Sequence, residues 1–152
     1  MDEFELIDRF FRDLSVLDDA SRLGIGDDAA ILNLLSDEQL VVSTDTSVES
    51  VHFPARASAE NIASRACVAR ISDLAAMGAQ ARWANLALTL PNINEAYPAD
   101  FARGSAAALS TNNMALVGGD TTRGPLTISW TVMGTVTLGK ALRRDCARPG
   151  DV

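Results

Sequence analysis

One segment, residues 126–138, alternates apolar and polar side chains with a period of two along its whole length. Its even-numbered positions are apolar apart from Gly134, whereas its odd-numbered positions carry threonine or serine apart from Met133. Because successive side chains of a strand point to opposite faces, this period predicts one long β-strand with two different faces. The predicted strand is longer than most, so we also expect it to help build a dimer.

Four shorter segments predict further strands, because each is rich in apolar residues and is bounded by turn residues. Residues 36–39 predict a polar turn between the first two, and Pro91 ends the third. The fourth runs into Gly118-Gly119-Asp120, which we expect to open a loop. In chain order, these four strands are residues 29–35, 40–46, 81–90 and 114–117.

Three segments predict helices. Residues 3–14 carry apolar side chains at helical spacing, and residues 95–112 are rich in alanine. Ser58 can cap a helix over residues 59–77, after which Gly78 supplies the left-handed residue that a helix C-terminus favours. After the first helix, the order β-β-α-β-α-β-β predicts an α+β fold in which helices cover a mixed β-sheet.

Composition and charge narrow the class of protein. The 152 residues, 47% apolar and 22% charged, suit one domain over 1–152. No apolar run reaches the roughly 18 residues that span a bilayer, and the acidic N-terminus is unlike a signal peptide, so we expect a cytoplasmic protein without a membrane partner. The net charge of −7 argues against nucleic-acid binding, since no basic cluster exceeds Arg143-Arg144. Cys67 and Cys146 predict two reduced thiols.

Several acidic residues lie beside glycines or hydroxyl side chains. Asp28 follows a glycine-rich turn, Asp45 follows Ser43 and Thr44 at the end of a predicted strand, and Asp120 follows two glycines. All three therefore lie where a strand is expected to give way to a loop. Carboxylate and hydroxyl oxygens are ligands that suit Mg²⁺, and glycine lets a phosphate approach the backbone.

Asp73 differs from these residues because it lies within a predicted helix, where aspartate is unfavourable unless it has a partner. Together the four aspartates indicate a magnesium–phosphate site. The alternative, that those beside glycine are ordinary turn residues, stays open at this point. Other sites are disfavoured: no P-loop occurs, Gly24–Asp27 lacks the third glycine of a dinucleotide fingerprint, and neither cysteine has the local signature of a nucleophile.

Five short motifs follow one another along the chain. They are Gly24–Ala30, Ser43–Thr46, His52-Phe53, Ser72–Ala79 and Gly118–Pro125. In this order they resemble thiamine-monophosphate kinase, a family in the same superfamily as aminoimidazole ribonucleotide synthetase and selenophosphate synthetase. The resemblance covers the whole chain but about the first half of the family's length. It implies the α+β N-terminal domain of the aminoimidazole ribonucleotide synthetase-like fold, with the long strand in a dimeric β-barrel.

The resemblance also implies a role for individual residues. Gly119, Asp120 and Arg144 are implied to bind ATP, and His52 is implied to contact thiamine monophosphate. The implied magnesium ligands are Asp28, Ser43, Thr44, Asp45, Asp73 and Asp120. The family usually has asparagine at the position of Arg70, three residues before Asp73, so we expect this arginine to pair with Asp73 or to reach a phosphate.

The implied reaction moves the γ-phosphoryl group of ATP to thiamine monophosphate and forms thiamine diphosphate. The acceptor phosphate has a second pKa of about 6 and is mostly dianionic at pH 7, so the reaction needs no general base, and the sequence predicts no catalytic residue. Magnesium ions in an acidic cleft would reduce the repulsion between the two polyanions. We therefore expect Mg²⁺ and ATP as cofactor and co-substrate of a homodimer.

The end of the chain, Arg148–Val152, resembles the start of the family's connection to a second domain that carries further aspartate ligands. We therefore expect the isolated chain to fold but to be inactive. Three alternatives stay open: a related enzyme of the superfamily with another acceptor, a non-catalytic dimerisation module built on the long strand, and a magnesium-binding regulatory domain.

Overall fold

The long alternating segment forms an interior strand of a four-stranded sheet in a computed structural model that describes residues 3–16, 19–92 and 96–150. The helices are α1 (Glu3–Phe10), α2 (Ala59–Ala76) and α3 (Ala96–Thr111), with a 3₁₀ turn at Arg12–Leu14. The strands are β1 (Ser21–Leu23), β2 (Ile31–Leu32), β3 (Glu38–Val48), β4 (Gln80–Leu90), β5 (Ala115–Arg123) and β6 (Thr127–Thr137).

The main sheet has the strand order β3-β6-β4-β5. Strand β6 pairs antiparallel with β3 on one side and with β4 on the other, whereas β4 and β5 run parallel. Helix α3 is the crossover that a parallel pair requires. The mixed α+β sheet that the element order predicted is therefore confirmed, and β3 and β5 form its two edges.

Helices α2 and α3 cover one face of this sheet, called here the helix face. The even-numbered residues Ile128, Trp130 and Val132 of β6 pack there in one buried cluster. Helix α2 contributes Ile62, Ala63, Cys67, Ile71 and Leu74 to the same cluster. The two helices approach closely, because a Cβ atom added at Gly104 of α3 would lie 2.1 Å from the backbone oxygen of Glu60 in α2.

The opposite face, called here the open face, is covered at one end only. There β1 and β2 form a small antiparallel sheet, and Leu32 packs against buried Trp83, Val117 and Met133. Leu40 and Val42 of edge strand β3 are exposed apolar side chains on this face, and the remaining uncovered positions of β3 and β6 carry mostly short polar side chains. Among them, Thr46 Oγ1 and Ser129 Oγ share a hydrogen bond of 2.7 Å. The period of two along β6 therefore separates helix-covered apolar side chains from mostly polar side chains on the opposite face.

Most of the predicted elements are confirmed, including the helix cap, in which Ser58 Oγ accepts a hydrogen bond of 3.3 Å from the Asn61 N–H. Strands are present within residues 29–35 and over 40–46, but they do not pair with each other: β2 pairs with β1, which was not predicted, and β3 pairs with β6. Strand β3 also begins at Glu38, inside the predicted turn. The reason is tertiary: Glu38 Oε1 accepts a hydrogen bond of 3.0 Å from Thr135 Oγ1 on β6.

Further boundaries differ from the prediction, and β3 continues to Val48, so Asp45 lies within the strand and not at its end. The helix over residues 3–14 ends as an α-helix at Phe10 and continues as the 3₁₀ turn. The triplet Gly118-Gly119-Asp120 is not a loop but lies within β5, where pairing with β4 keeps it extended despite a bulge. Within the described ranges, no helix has the length and apolar character needed to cross a membrane.

Candidate functional site

Helix α2 and edge strand β3 are joined by two polar side-chain contacts. Ser43 Oγ donates a hydrogen bond of 2.8 Å to Asp73 Oδ2, and the guanidinium of Arg70 forms an ion pair with Asp45 Oδ2. Ser43 and Asp45 are two residues apart on β3 and share the helix face, since their register partners on β6 are Val132 and Trp130. The helix and strand periods thus bring two of the predicted aspartates together.

The oxygen atoms of these aspartates differ in what they already bind. The other oxygen of Asp45, Oδ1, accepts a hydrogen bond of 2.6 Å from the Thr46 N–H, so both of its carboxylate oxygens are engaged. For Asp73, the described contacts involve Oδ2 alone. Mg²⁺ in proteins commonly takes one or two carboxylates and completes its shell with water and phosphate oxygens. Two carboxylates and a hydroxyl on one surface fit that requirement.

Thr44 does not join this group through its side chain. It lies between Ser43 and Asp45, so its hydroxyl is on the open face, where Thr44 Oγ1 shares a hydrogen bond of 2.8 Å with Thr131 Oγ1. The pleat of the strand separates the three neighbouring predicted ligands onto two faces.

Asp120 is far from the α2–β3 contacts. It pairs with Ala87 on β4, is exposed, and lies on the open face of β5, the other edge strand. Three strand spacings separate β3 from β5, about 14 Å in total. Asp45 and Asp120 of one chain are therefore on opposite faces and at opposite edges of the sheet.

Gly119 lies against β4, where an added Cβ atom would lie 2.0 Å from the backbone oxygen of Leu86. The close approach of β4 is therefore a sufficient reason for glycine at this position. Its implied part in the ATP site stays a prediction.

Asp28 lies between β1 and β2 and is exposed, and its N–H donates to Asp27 Oδ1 at 2.8 Å. It belongs to a turn, as the alternative reading allowed. Over residues 3–16, 19–92 and 96–150, no three His, Cys, Asp or Glu side chains gather closely enough to hold a metal ion. The predicted ligands are thus distributed over the α2–β3 contact, the β1–β2 turn and β5.

His52 lies in the turn after β3 and is exposed. Its Nδ1 accepts a hydrogen bond of 3.0 Å from the Val48 N–H, so the neutral ring carries its proton on Nε2. The turn thereby presents a hydrogen-bond donor, which suits an anionic or carbonyl group of a ligand. Arg144, the predicted phosphate contact, is also exposed and follows Arg143, which pairs with Asp145.

Arg70 contacts a partner that its sequence position predicted only in part. It was expected to contact Asp73 or a phosphate, but its described ion-pair partner is Asp45. The spacing contained the necessary signal, because residues 70 and 73 lie one helical turn apart and residues 43 and 45 share a strand face. What the sequence lacked was the packing of α2 on β3.

The two cysteines are both free, as predicted. Cys67 lies on the buried side of α2, and this burial raises the pKa of its thiol to about 12. At neutral pH this thiol is therefore protonated and is a poor nucleophile. The exposed thiol, Cys146, lies beside Asp145 outside the helices and strands.

Comparison with known proteins identifies the family to which this chain is similar. Residues 26–136 match the model of the AIR synthase related protein, N-terminal domain. A curated relative, the thiamine-monophosphate kinase of Haemophilus influenzae, is 43% identical over 152 residues, which are 100% of this chain and 46% of the relative. The chain therefore spans about half the length of the curated relatives it matches.

Two solved structures are similar along most or all of the chain. The crystal structure of thiamine-monophosphate kinase from Stenotrophomonas maltophilia K279a is 48% identical with a TM-score of 0.87, over 99% of this chain and 48% of that chain. A structure of AaThiL complexed with AMPPCP and TMP is 29% identical with a TM-score of 0.65, over 74% of this chain and 37% of that chain. The resemblance and the fold inferred from the motifs are thus confirmed, and the chain belongs to the family of AIR synthase related proteins, through its N-terminal domain.

Proposed function

We propose that the intact protein transfers the γ-phosphoryl group of ATP to thiamine monophosphate, and that this chain is its magnesium- and ATP-binding half. The observation that carries the proposal is the 48% identity, along 99% of the chain, to a thiamine-monophosphate kinase of solved structure. The structure of AaThiL with AMPPCP and TMP supports both substrates, since AMPPCP is an ATP analogue. A second domain is proposed to complete the site.

Within this proposal, the residues of the chain divide into three groups. Asp28, Ser43, Thr44, Asp45, Asp73 and Asp120 are the proposed magnesium ligands. Gly119, Asp120 and Arg144 are the proposed ATP contacts. His52 is proposed to contact thiamine monophosphate through its Nε2–H, which the hydrogen bond at Nδ1 leaves available. None of these residues is proposed as a general base, because the acceptor phosphate is already a nucleophilic dianion.

The task of the chain is therefore to position two polyanions in line and to lower their repulsion. Bound Mg²⁺ would supply positive charge at the phosphate oxygens. Asp45 and Asp73 provide the acidic side chains on the helix face. Ser43 orients the Asp73 carboxylate through its 2.8 Å hydrogen bond. With a net charge of −7, the chain favours metal-bound over metal-free nucleotide.

A homodimer is part of the proposal, and the positions of Asp45 and Asp120 on the two edge strands of the sheet support it. The two residues lie on β3 and β5, whose outer edges pair with no other strand in the described ranges. Unpaired edges are templates for another strand. If β3 of one copy lies beside β5 of the other, the two four-stranded sheets close into a barrel. The strand that carries Asp45 in one copy then lies next to the strand that carries Asp120 in the partner copy, with the two side chains on opposite faces of the barrel.

Mixing two inactive variants tests whether the edge strands of two copies contribute to one site. Asp45→Asn and Asp120→Asn homodimers are each expected to be inactive, whereas co-expressed mixtures should regain about one quarter of wild-type specific activity. The reason is that half of randomly formed dimers are mixed, and each mixed dimer has one intact site. Mixing Asp45→Asn with Asp73→Asn, which change the same group, serves as the matched control and should regain nothing. Equal inactivity of both mixtures would contradict a site shared between copies.

The reaction itself is tested on the intact protein with Mg²⁺, ATP and thiamine monophosphate. Thiamine diphosphate is the expected product, and thiamine is the control acceptor, which should give none. Formation of ADP with another acceptor and no thiamine diphosphate would select a related enzyme of the superfamily instead. Metal binding without any phosphoryl transfer would select a regulatory domain, and full activity of the Asp45→Asn and Asp120→Asn variants would select a non-catalytic dimerisation module.

The cellular setting is proposed on chemical grounds. The substrates are small phosphorylated metabolites, and the chain has neither a basic cluster for nucleic acid nor a described helix that could cross a membrane. We therefore propose a cytoplasmic enzyme of thiamine diphosphate biosynthesis that has no nucleic-acid or membrane partner.

A further inference from the structure

Arg70 already supplies a cation to one of the proposed magnesium ligands. Its guanidinium contacts Asp45 Oδ2, while the Thr46 N–H holds Asp45 Oδ1. The Arg70 side chain is 22% exposed and that of Asp45 is 53% exposed, so the pair is accessible from solvent but partly desolvated on the arginine side. A metal ion that approaches Asp45 therefore meets a carboxylate whose two oxygens each already accept one contact, one of them from a fixed positive charge.

The neighbouring carboxylate is in a different condition. Asp73 lies one helical turn after Arg70 and uses Oδ2 to accept from Ser43, with no described contact at Oδ1. A divalent cation bound at Asp73 alone would be close to the fixed positive charge of Arg70 and would be repelled by it. A metal that takes both carboxylates is repelled by the guanidinium at Asp45, so its binding is favoured when the guanidinium leaves Asp45. The Thr46 N–H cannot leave as readily, because it belongs to the β3 backbone.

The released guanidinium has an evident second partner. Arginine presents its N–H donors as a planar fork that matches two oxygens of a phosphate group. A nucleotide that arrives with its metal brings such oxygens to the same surface. The exchange of partners keeps every charge compensated: the metal replaces arginine at Asp45, and phosphate replaces Asp45 at arginine.

We propose that Arg70 is an internal counter-ion of Asp45, which competes with free Mg²⁺ and moves to nucleotide phosphate when Mg²⁺ and nucleotide bind together. This inference rests on the proposed function and adds a regulation of the same site. Its consequence is that metal and nucleotide bind cooperatively, because each removes the partner that blocks the other. Free Mg²⁺ alone then occupies the site weakly.

The test measures Mn²⁺ binding to the intact protein by electron paramagnetic resonance, with and without AMPPCP. Without nucleotide, Arg70→Asn is expected to bind Mn²⁺ about fivefold more tightly than wild type, the size that a partly exposed ion pair supports. Arg70→Lys keeps the charge and should stay within about twofold of wild type. Arg65→Asn removes an exposed arginine from the same helix without touching Asp45, and serves as the matched control.

Measurements with the nucleotide distinguish Arg70 as a competing positive charge from Arg70 as a purely structural residue. AMPPCP is expected to tighten Mn²⁺ binding in wild type, and this gain should be about tenfold smaller in Arg70→Asn. Thermal unfolding of each variant checks that the fold persists. Unchanged Mn²⁺ affinity in Arg70→Asn would overturn the inference, even if the protein makes thiamine diphosphate. No Mn²⁺ binding by wild type at millimolar concentration with AMPPCP present would instead overturn the proposed metal site itself.

Discussion

Replacement of Asp73 by asparagine is expected to lower kcat/KM of the intact protein by about 100-fold or more, the loss typical when a transition-state charge loses its support. Asparagine has nearly the same shape and keeps an oxygen that can accept the 2.8 Å hydrogen bond from Ser43. The change therefore removes the negative charge but not the link between α2 and β3. The effect should thus concern metal binding and phosphoryl transfer, not folding.

Two measurements and a control variant identify this cause. Steady-state kinetics at increasing Mg²⁺ should show that the variant needs more metal, and urea unfolding should show a stability within about 1 kcal/mol of wild type. Asp37→Asn changes an exposed carboxylate in the segment before β3 and should leave both quantities unchanged. An Asp73→Asn variant with wild-type kcat/KM at all Mg²⁺ concentrations would remove Asp73 from the proposed site.

Replacement of Gly104 by alanine is expected to destabilise the protein by about 3 kcal/mol. Alanine in a helix interior normally stabilises relative to glycine by about 1 kcal/mol, so intrinsic propensity alone predicts the opposite sign. Here the new Cβ would lie 2.1 Å from the backbone oxygen of Glu60, and 2.8 Å from its carbonyl carbon. Backbone atoms cannot rotate away as a side chain can, so α3 must move off α2.

The decisive result is whether the free energy of unfolding falls or rises in Gly104→Ala, and urea unfolding measures it. Ala107→Gly, at an exposed position of the same helix, provides the control and should lose only about 1 kcal/mol through propensity. A Gly104→Ala protein that is more stable than wild type would mean that the helices do not approach as closely as described. Because α2 carries Arg70 and Asp73, a shift of the helices should also weaken metal binding.

The local sequence was sufficient for most of the secondary structure. The period of two defined β6 and β4, and the pair of Ser58 and Gly78 defined the ends of α2, because these signals arise from backbone geometry within a few residues. The motifs also identified the family, which the match over residues 26–136 confirms. Residue types alone led to Mg²⁺ as the proposed metal, because hard oxygen ligands do not depend on the fold.

Strand pairing was decided only by the tertiary structure. The chain gave no local reason for β3 to pair with β6, which is distant in sequence, rather than with adjacent β2. Glu38 belongs to a strand because Thr135 contacts it, and Gly118-Gly119-Asp120 stays extended because β4 lies beside it. Such contacts join residues far apart in the chain, so the sequence pattern around each residue does not contain them.

The arrangement of the candidate site depended on the same long-range packing. The sequence supplied six candidate ligands, but the pleat of β3 placed Thr44 on one face and Ser43 with Asp45 on the other. The docking of α2 then determined that Arg70 contacts Asp45 and that Ser43 contacts Asp73. Residue chemistry is local and can be read along the chain, whereas the choice of partner depends on which surfaces bury their apolar faces together.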